Sequence, residues 1–213
     1  MCIQTLWVVK LGGSLLAEPE LARWLETLTR HGDGKVVIVP GGGVFADAVR
    51  ESQKRSGCDD ATAHRMAVMA MDQYGVMMAG LNPVLVTAES ELEIAERGWQ
   101  HRGIVWLPSK MVCADEAIPN NWQVTSDSLA AWLATKLNAE NLILVKPSRP
   151  EAEQVSVERL IKDGTVDGHF GDFVCGRTFN TWILGKQDYS IFADGISQER
   201  LAQAATAVRC AWN

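Results

Sequence analysis

Short apolar runs alternate with longer amphipathic segments along most of the chain. The runs have little polar alternation, which is typical of strands buried on both faces of a parallel sheet. They predict strands over residues 7–9, 35–39, 83–86, 104–107, 141–145 and 190–193. Apolar positions at helical spacing predict helices over residues 18–30, 44–55, 59–79, 89–97, 155–162 and 197–209. One more predicted helix carries Leu129, Leu133 and Leu137 at four-residue spacing. Residues 111–121 stay unassigned and residues 165–176 are predicted to be loops with short elements. The alternation predicts one α/β domain.

Two of the predicted strands run directly into glycine turns. The first ends at Lys10 and is followed by Gly12, Gly13 and Ser14. The second runs into Pro40 and the turn Gly41-Gly42-Gly43. In open α/β sheets ligands bind beyond the carboxyl ends of the strands, and a helix that starts there directs free N–H groups at anions. The two turns therefore predict an anion site, although a plain turn with a solvated lysine would explain the first equally well.

A third predicted strand, over residues 141–145, also ends in a lysine, Lys146. Asp127 lies in the first turn of the preceding predicted helix. If the two lysine-bearing strands are neighbours in the sheet, a carboxylate between them would hold both ammonium groups. The alternative is that Ser126 and Asp127 only cap the helix, since both residue types are common at helix starts.

The charge balance and the cysteines narrow the class of ligand. Acidic residues number 26 against 20 basic ones, and no basic block stands out. We therefore expect a small-molecule ligand and neither nucleic acid nor membrane. Residues 1–5 lack the features of a signal peptide, which favours a cytoplasmic location. The cysteines have no Cys-x-x-Cys spacing and are interpreted as free thiols, mostly buried. They are Cys2, Cys58, Cys113, Cys175 and Cys210.

Two familiar nucleotide motifs give little support. The Walker pattern is absent, and Gly41-x-Gly43-x-x-Ala46 matches the dinucleotide fingerprint only formally. That fingerprint needs a strand ending in an acid about twenty residues later, where this chain has a predicted Met-rich helix. A dinucleotide oxidoreductase is therefore a distant alternative.

Three motifs in this order resemble the amino acid kinase family: Lys10-x-Gly12-Gly13-Ser14, the Pro40 to Gly43 turn, and Thr125-Ser126-Asp127-Ser128-Leu129-Ala130. Within the family, the segments at residues 65–75 and 122–132 are most similar to the small kinases of methanofuran biosynthesis, which phosphorylate aminomethylfuranmethyl phosphate to its diphosphate. The resemblance implies a single domain over residues 1–213, with a three-layer α/β/α sandwich and an open, mainly parallel sheet. It also implies a homo-oligomeric enzyme that uses ATP and Mg²⁺, with the metal held by ATP phosphates rather than by side chains.

The resemblance also implies roles for individual residues. Lys10, Asp127 and Lys146 are expected to be catalytic, with Asp127 orienting the lysines. The expected nucleotide-binding residues are Lys10, Gly12, Gly13, Ser14, Lys146, Asp167 and Gly168. The expected acceptor-binding residues are Gly41, Gly42, Gly43, His64, Arg65, Thr125 and Ser126. An amine on the acceptor would need a carboxylate, for which Asp47, Asp60 and Asp72 are candidates.

The sequence departs from the family pattern in two places. The turn after the predicted strand at residues 141–145 reads Lys146-Pro147-Ser148-Arg149-Pro150, and the segment in which relatives carry a second catalytic lysine reads Val166-Asp167-Gly168-His169. Lys146 could supply the missing charge. One alternative is a non-catalytic nucleotide-binding or storage protein of the same fold. Another is a kinase for a carboxylate or for a different phosphate acceptor.

Overall fold

The computed structural model describes residues 6–195 and 197–210, and in these residues eight strands form one sheet. The strands are β1 (Trp7–Leu11), β2 (Val36–Pro40), β3 (Leu85–Ala88), β4 (Gly103–Trp106), β5 (Asn141–Lys146), β6 (Gln154–Ser156), β7 (Asn180–Gly185) and β8 (Thr206–Arg209). Their order is β3-β4-β2-β1-β5-β7-β8-β6. All neighbours are parallel except β7 and β8. The predicted open, mainly parallel sheet is confirmed.

Helices cover both faces of this sheet. They are α1 (Pro19–His31), α2 (Gly43–Ser56), α3 (Asp60–Leu81), α4 (Glu91–Trp99), α5 (Ser109–Val112), α6 (Ser126–Lys136), α7 (Val157–Lys162), α8 (Phe170–Val174) and α9 (Gln198–Ala204). Short 3-10 helices lie at Gly13–Leu15 and Asp188–Phe192. One apolar core joins the sheet to α6, and a second core on the opposite face joins it to α1. The predicted three-layer α/β/α sandwich is confirmed.

Strand alternation directs both strand-end lysines to the α6 face. Val8 lies in the α6 core and Val9 in the α1 core, so Lys10, two residues after Val8, lies on the α6 side. Leu142 and Leu144 belong to the α6 core too, which puts Lys146 on the same side. Because β1 pairs with β5 in parallel register, the two lysines end neighbouring strands.

The last quarter of the chain differs from the predictions. Residues 190–193 form no strand, because this segment belongs to the 3-10 helix, whose Phe192 packs edge-on against Trp7 and Trp24. The sheet instead takes β7, which was not predicted. The single helix predicted over residues 197–209 is wrong after Ala204, where the chain extends into β8. The helix predicted over residues 155–162 begins only at Val157, after strand β6.

Helix α3 is longer than its pattern predicts. It continues to Leu81 through Gly75 and Gly80. Gly75 faces Leu107, and a β-carbon at this position would lie 2.7 Å from that side chain. The helix exposes Met69, Val76 and Leu81. The homo-oligomer remains a prediction. No helix in the described ranges is long and apolar enough to cross a membrane.

The interpretation of the cysteines is wrong for at least two of them. Cys175 and Cys210 form a disulfide, with their Cα atoms 5.7 Å apart. Cys58 is a half-buried free thiol and Cys113 an exposed one, so neither is buried as predicted. The cysteines are far apart in sequence, which is why their spacing gave no signal. Cys2 and the rest of residues 1–5, on which the cytoplasmic prediction depends, lie outside the described residues.

Candidate active site

The carboxylate of Asp127 lies between the two strand-end lysines. Its Oδ2 accepts a hydrogen bond from Nζ of Lys146 at 2.7 Å, and its Oδ1 lies 3.0 Å from Nζ of Lys10 as an ion pair without hydrogen-bond geometry. All three side chains are at least nine-tenths buried. The predicted placement of Asp127 between the lysines is confirmed.

This buried cluster carries an excess of positive charge. Two ammonium groups face one carboxylate, which leaves a formal charge of +1. The pKa of Lys146 is lowered to about 8, mainly by burial; the neighbouring Lys10 contributes to this shift and Asp127 opposes it. Burial alone would raise the pKa of Asp127, but the two ammonium groups hold it below its ordinary value. An unbalanced buried cation favours an anionic ligand at this end of the sheet.

The two glycine turns touch each other beside this cluster. A β-carbon on Gly13 would lie 2.3 Å from the N and Cα atoms of Gly43, so no other residue fits there without moving the backbone. Gly43 also has a positive φ of 53°. The amide of Gly41 donates to the Leu11 carbonyl at 2.9 Å, which fastens the second turn to the end of β1. The turns thus bring the starts of two helical segments to one point.

Asp167, not Asp127, caps helix α6. The Asp167 carboxylate accepts hydrogen bonds from the backbone N–H and the hydroxyl of Thr125, at 3.0 and 2.8 Å. It also accepts from the N–H of Ser128 at 3.1 Å and from the Ser128 hydroxyl. The capping interpretation of Asp127 is therefore wrong, because its side chain faces the lysines. Asp167 fixes the helix start from which Asp127 projects.

A first cleft of about 320 Å³ opens over the lysine cluster. It is lined by Lys10, Gly12, Gly13, Ser14, Val145, Lys146, Pro147 and Ser148, together with residues 163–165. This cleft thus gathers five of the predicted nucleotide-binding residues. The structure does not bring Asp167 and Gly168 into its lining. Gly168 instead abuts the Gln123 side chain, and a β-carbon there would lie 2.3 Å from Oε1 of Gln123.

A second cleft of about 430 Å³ lies on the other side of the glycine turns. It shares Gly13 and Ser14 with the first cleft. Its polar lining comes from Ser14, Asp47, Arg50, His64, Thr125 and Ser126, and its apolar wall from Val44, Val68, Met71, Trp122, Val124 and Leu129. The volume suits a small molecule. Two ligands, one in each cleft, would therefore meet at Gly13 and Ser14.

The predicted acceptor-binding residues divide between this cleft and other places. Gly42, Gly43, His64, Thr125 and Ser126 line it. Gly41 is absent from the lining, because it is buried against the first turn. Arg65 lines a separate depression with Lys110 and Cys113, because neighbouring residues on a helix face different directions.

Only one of the three candidate carboxylates reaches the second cleft. Asp47 lines it. Asp60 accepts a hydrogen bond from the Gln53 amide at 2.8 Å, and Asp72 accepts from the Ser109 N–H at 3.1 Å, both away from the cleft. Among the three, Asp47 is thus the one positioned to meet a ligand there.

Arg50 and the role of Trp122 were not predicted from the sequence. The Arg50 guanidinium lies 4.5 Å from the centre of the Trp122 ring and 2.8 Å from Oδ1 of Asp47. The indole is itself fixed, since its N–H donates to Oε1 of Gln53 at 2.7 Å. Helical spacing could have identified Arg50, because Asp47 and Arg50 follow Gly43 by four and seven residues and so share its face.

The second departure from the family pattern has a structural counterpart. His169 pairs with Asp172 at 2.7 Å and lines a different depression, near Trp132 and Arg177. Within the described residues, Lys10 and Lys146 are the cations that line the first cleft. Over the same residues, no group of three or more acidic, His or Cys side chains could hold a metal ion.

Comparison with solved structures shows the same fold. The uridylate kinase of Archaeoglobus fulgidus superposes with a TM-score of 0.68 at 16% identity, covering 96% of this chain and 100% of that one. The UMP kinase of Ureaplasma parvum gives a TM-score of 0.66 at 13% identity, with 98% and 97% covered. The UMP kinase of Bacillus anthracis gives 0.64 at 12% identity, with 95% and 93% covered.

Comparison of sequences points in the same direction. A curated relative, the (5-(aminomethyl)furan-3-yl)methyl phosphate kinase of Methanocaldococcus jannaschii, is 28% identical over 138 residues. The match spans 64% of this chain and 63% of the relative's length. The model of the amino acid kinase family matches residues 5–147, more than half of the chain and the part that contains both glycine turns, Asp127 and Lys146. The chain therefore belongs to the amino acid kinase family.

Proposed function

We propose that this protein transfers the γ-phosphoryl group of ATP, with Mg²⁺, to an anionic small molecule. The observation that carries the proposal is the pair of clefts that meet at Gly13 and Ser14, beside two buried lysines held by Asp127. ATP would lie in the first cleft with its terminal phosphates over Lys10 and Lys146. The acceptor would lie in the second cleft.

The residues present fit the demands of phosphoryl transfer to an anion. An acceptor oxygen attacks the γ-phosphorus, the bond from that phosphorus to the β,γ-bridging oxygen breaks, and ADP leaves with the electron pair. A phosphate acceptor is already ionised, so no general base is needed. The chain's task is to hold two mutually repelling anions in line and to neutralise their charge. The excess buried charge of the lysine cluster and the two helix starts at the glycine turns suit this task.

Lys146 is the residue that would replace the lysine missing from the family pattern. It ends β5 next to β1, and its ammonium lies at the first cleft with that of Lys10. Bound phosphates would stabilise its charged form and so raise its pKa above the value of about 8 in the free protein. Mg²⁺ bound through ATP oxygens would supply further charge neutralisation.

The acceptor that we propose first is an amine-bearing phosphomonoester, aminomethylfuranmethyl phosphate, with a diphosphate as the product. The name of the 28% identical relative supports this choice. The second cleft supports it too, because a cation, Arg50, and a carboxylate, Asp47, lie side by side there.

A comparison of acceptors tests the proposal. Purified protein with ATP and Mg²⁺ is offered aminomethylfuranmethyl phosphate, isopentenyl phosphate, uridylate and acetylglutamate, and kcat/KM is measured for each. We expect the furan phosphate to lead by more than about tenfold, which is about 1.4 kcal/mol in transition-state binding. A tenfold lead for uridylate or acetylglutamate would contradict the choice of acceptor. ATP binding without turnover of any acceptor would contradict the activity itself.

A further inference from the structure

A hydrogen bond to the backbone fixes the His64 ring in the tautomer that is protonated at Nδ1. Its Nδ1 lies 3.0 Å from the backbone carbonyl oxygen of Asn121, and since that oxygen can only accept, Nδ1 must carry the proton and donate. Burial lowers the pKa of His64, although the bond to Asn121 opposes the shift, so the ring is neutral near pH 7. The other nitrogen, Nε2, is therefore left with a lone pair and can only accept a hydrogen bond.

Nε2 of His64 has no partner for that lone pair within the described residues. The atom is buried, and the whole residue is 3% exposed. Buried side-chain acceptors in folded proteins are rarely left unpaired. His64 lines the second cleft, so a small adjustment of the lining side chains on binding would let a ligand bring a donor to Nε2.

The charged side chains of the second cleft indicate that its ligand also carries a negative group. Arg50 rests on the fixed Trp122 ring and bonds to Asp47 through one nitrogen, so other guanidinium N–H groups remain to bind an anion. Asp47 is a second acceptor in the cleft. The lining therefore suits a ligand that has a negative group near Arg50 and an N–H donor near Asp47 and His64.

We propose that Nε2 of His64 accepts a hydrogen bond from an N–H donor of the acceptor substrate, so that His64 makes the site select phosphomonoesters that carry an ammonium group. An ammonium suits the cleft better than a hydroxyl, because the negative charge of Asp47 lies in the same lining. This inference rests on the proposed function, since it assigns a specificity-determining residue to the acceptor site.

A matched pair of substrates tests the inference. Aminomethylfuranmethyl phosphate and its des-amino analogue, (5-methylfuran-3-yl)methyl phosphate, differ only in the amine. A hydrogen bond to a charged donor predicts that the wild-type protein prefers the amine by about tenfold to a hundredfold in kcat/KM. Equal kcat/KM values for the two phosphates would overturn the inference.

Two substitutions then separate the role of Nε2 from the role of the ring in the fold. In His64→Asn the amide nitrogen lies near the position of Nδ1, so it can keep the bond to Asn121 while the acceptor is lost. We expect the preference for the amine to fall below about threefold, with an unchanged KM for ATP. His64→Gln places its amide near the position of Nε2 and should keep part of the preference. Melting temperatures show whether both variants are folded, and if the Asn variant is not, the substrate pair on wild-type and Gln protein still decides.

A third variant, Asp47→Asn, tests whether Asp47 rather than His64 recognises the amine. If Asp47→Asn abolishes the preference while His64→Asn keeps it, Asp47 recognises the ammonium and the inference is wrong. Calorimetric binding of the two phosphates without ATP distinguishes this failure from failure of the proposed function. Binding that favours the amine in wild-type but not in His64→Asn, without any turnover, would support the role of His64 and refute the kinase. Turnover of both phosphates at equal efficiency would support the kinase and refute the role of His64.

Discussion

Asp127→Asn is the substitution that most directly tests the buried charge cluster. The change keeps the shape of the side chain and removes its charge, while the two ammonium groups stay in place. At about 3 Å and an effective dielectric constant of about 20, each lysine loses an attraction of roughly 5 kcal/mol. Lys146, whose pKa is already lowered to about 8, then has its main source of stabilisation removed and should lose its proton near neutral pH.

The substitution should lower both activity and stability. Removing one partner of a buried ion pair typically costs about 3–5 kcal/mol, and release of the Lys146 proton limits that cost. For catalysis, the loss of one cation from the phosphates should resemble the loss of one oxyanion donor, about 2.7–4 kcal/mol, or a hundredfold to a thousandfold in kcat. Because Asn caps helices about as well as Asp, a pure capping role would predict a nearly normal enzyme.

The pH dependence of kcat tests whether the Asp127→Asn variant fails because Lys146 loses its charge. Lys146 is charged below its pKa, so lowering the pH should restore its charge in the variant. The ratio of variant to wild-type kcat should therefore rise as the pH falls from 8 to 6, and the ratio cancels the titration of the substrates. Steady-state kinetics and melting temperatures are measured together, with Asp33→Asn, an exposed carboxylate whose ion pairs are with His101 and Lys35, as the control. An Asp127→Asn enzyme within about threefold of wild-type kcat at pH 7 would refute the reasoning.

Four further predictions follow from the same geometry. Lys10→Met should lower kcat at least a hundredfold with little change in melting temperature, because it removes a cation from the phosphates; a nearly normal kcat would exclude that role. Gly13→Ala should cost about 1–3 kcal/mol and lower the melting temperature by roughly 3–10 °C, since its β-carbon has no room, whereas Gly80→Ala has open space and should not destabilise. Asp167→Asn should lower both the melting temperature and kcat, because it can no longer accept all the hydrogen bonds at the start of α6; unchanged kinetics would make the cap purely structural. The kcat/KM of the wild-type enzyme should fall as the pH rises through about 8, where Lys146 loses its charge, and kcat should fall only at higher pH because bound phosphates favour the charged form.

The central part of the sheet and the lysine cluster could be predicted because local patterns determine them. Strands buried on both faces leave uninterrupted apolar runs, and a lysine directly after such a run must lie at a carboxyl end of the sheet. The adjacency of β1 and β5 could not be predicted from local patterns, and the predicted lysine cluster depended on it. The roles of Lys10, Asp127 and Lys146 in catalysis remain predictions.

The end of the chain could not be predicted because its apolar residues pack in ways that periodicity does not distinguish. Ile191 and Phe192 form a short apolar run like a strand, yet they pack against the α1 core as part of a 3-10 helix. The segment at residues 205–209 follows the predicted helical pattern but pairs with β6 and β7. Whether such a segment forms a strand or a helix depends on which edge of the sheet is available for pairing, and the local sequence does not indicate this.

Contacts between distant side chains account for the rest of what was missed. Asp167 reaches Thr125 and Ser128 across about forty positions, and nothing in its own neighbourhood indicates that it caps another helix. Arg50 packs against the ring of Trp122, which is distant in sequence but lines the same cleft.

The proposed phosphoryl transfer is tested most directly by ³¹P NMR of one reaction mixture. Purified protein is incubated with ATP, Mg²⁺ and aminomethylfuranmethyl phosphate, and the phosphorus signals are followed with time, with the Lys10→Met variant in parallel. We predict that the γ-phosphate signal of ATP decreases while ADP and the coupled pair of signals of a new diphosphate monoester increase in equal amounts, and that the variant shows almost none of this. Formation of inorganic phosphate in place of the diphosphate, or an unchanged spectrum, would contradict the account.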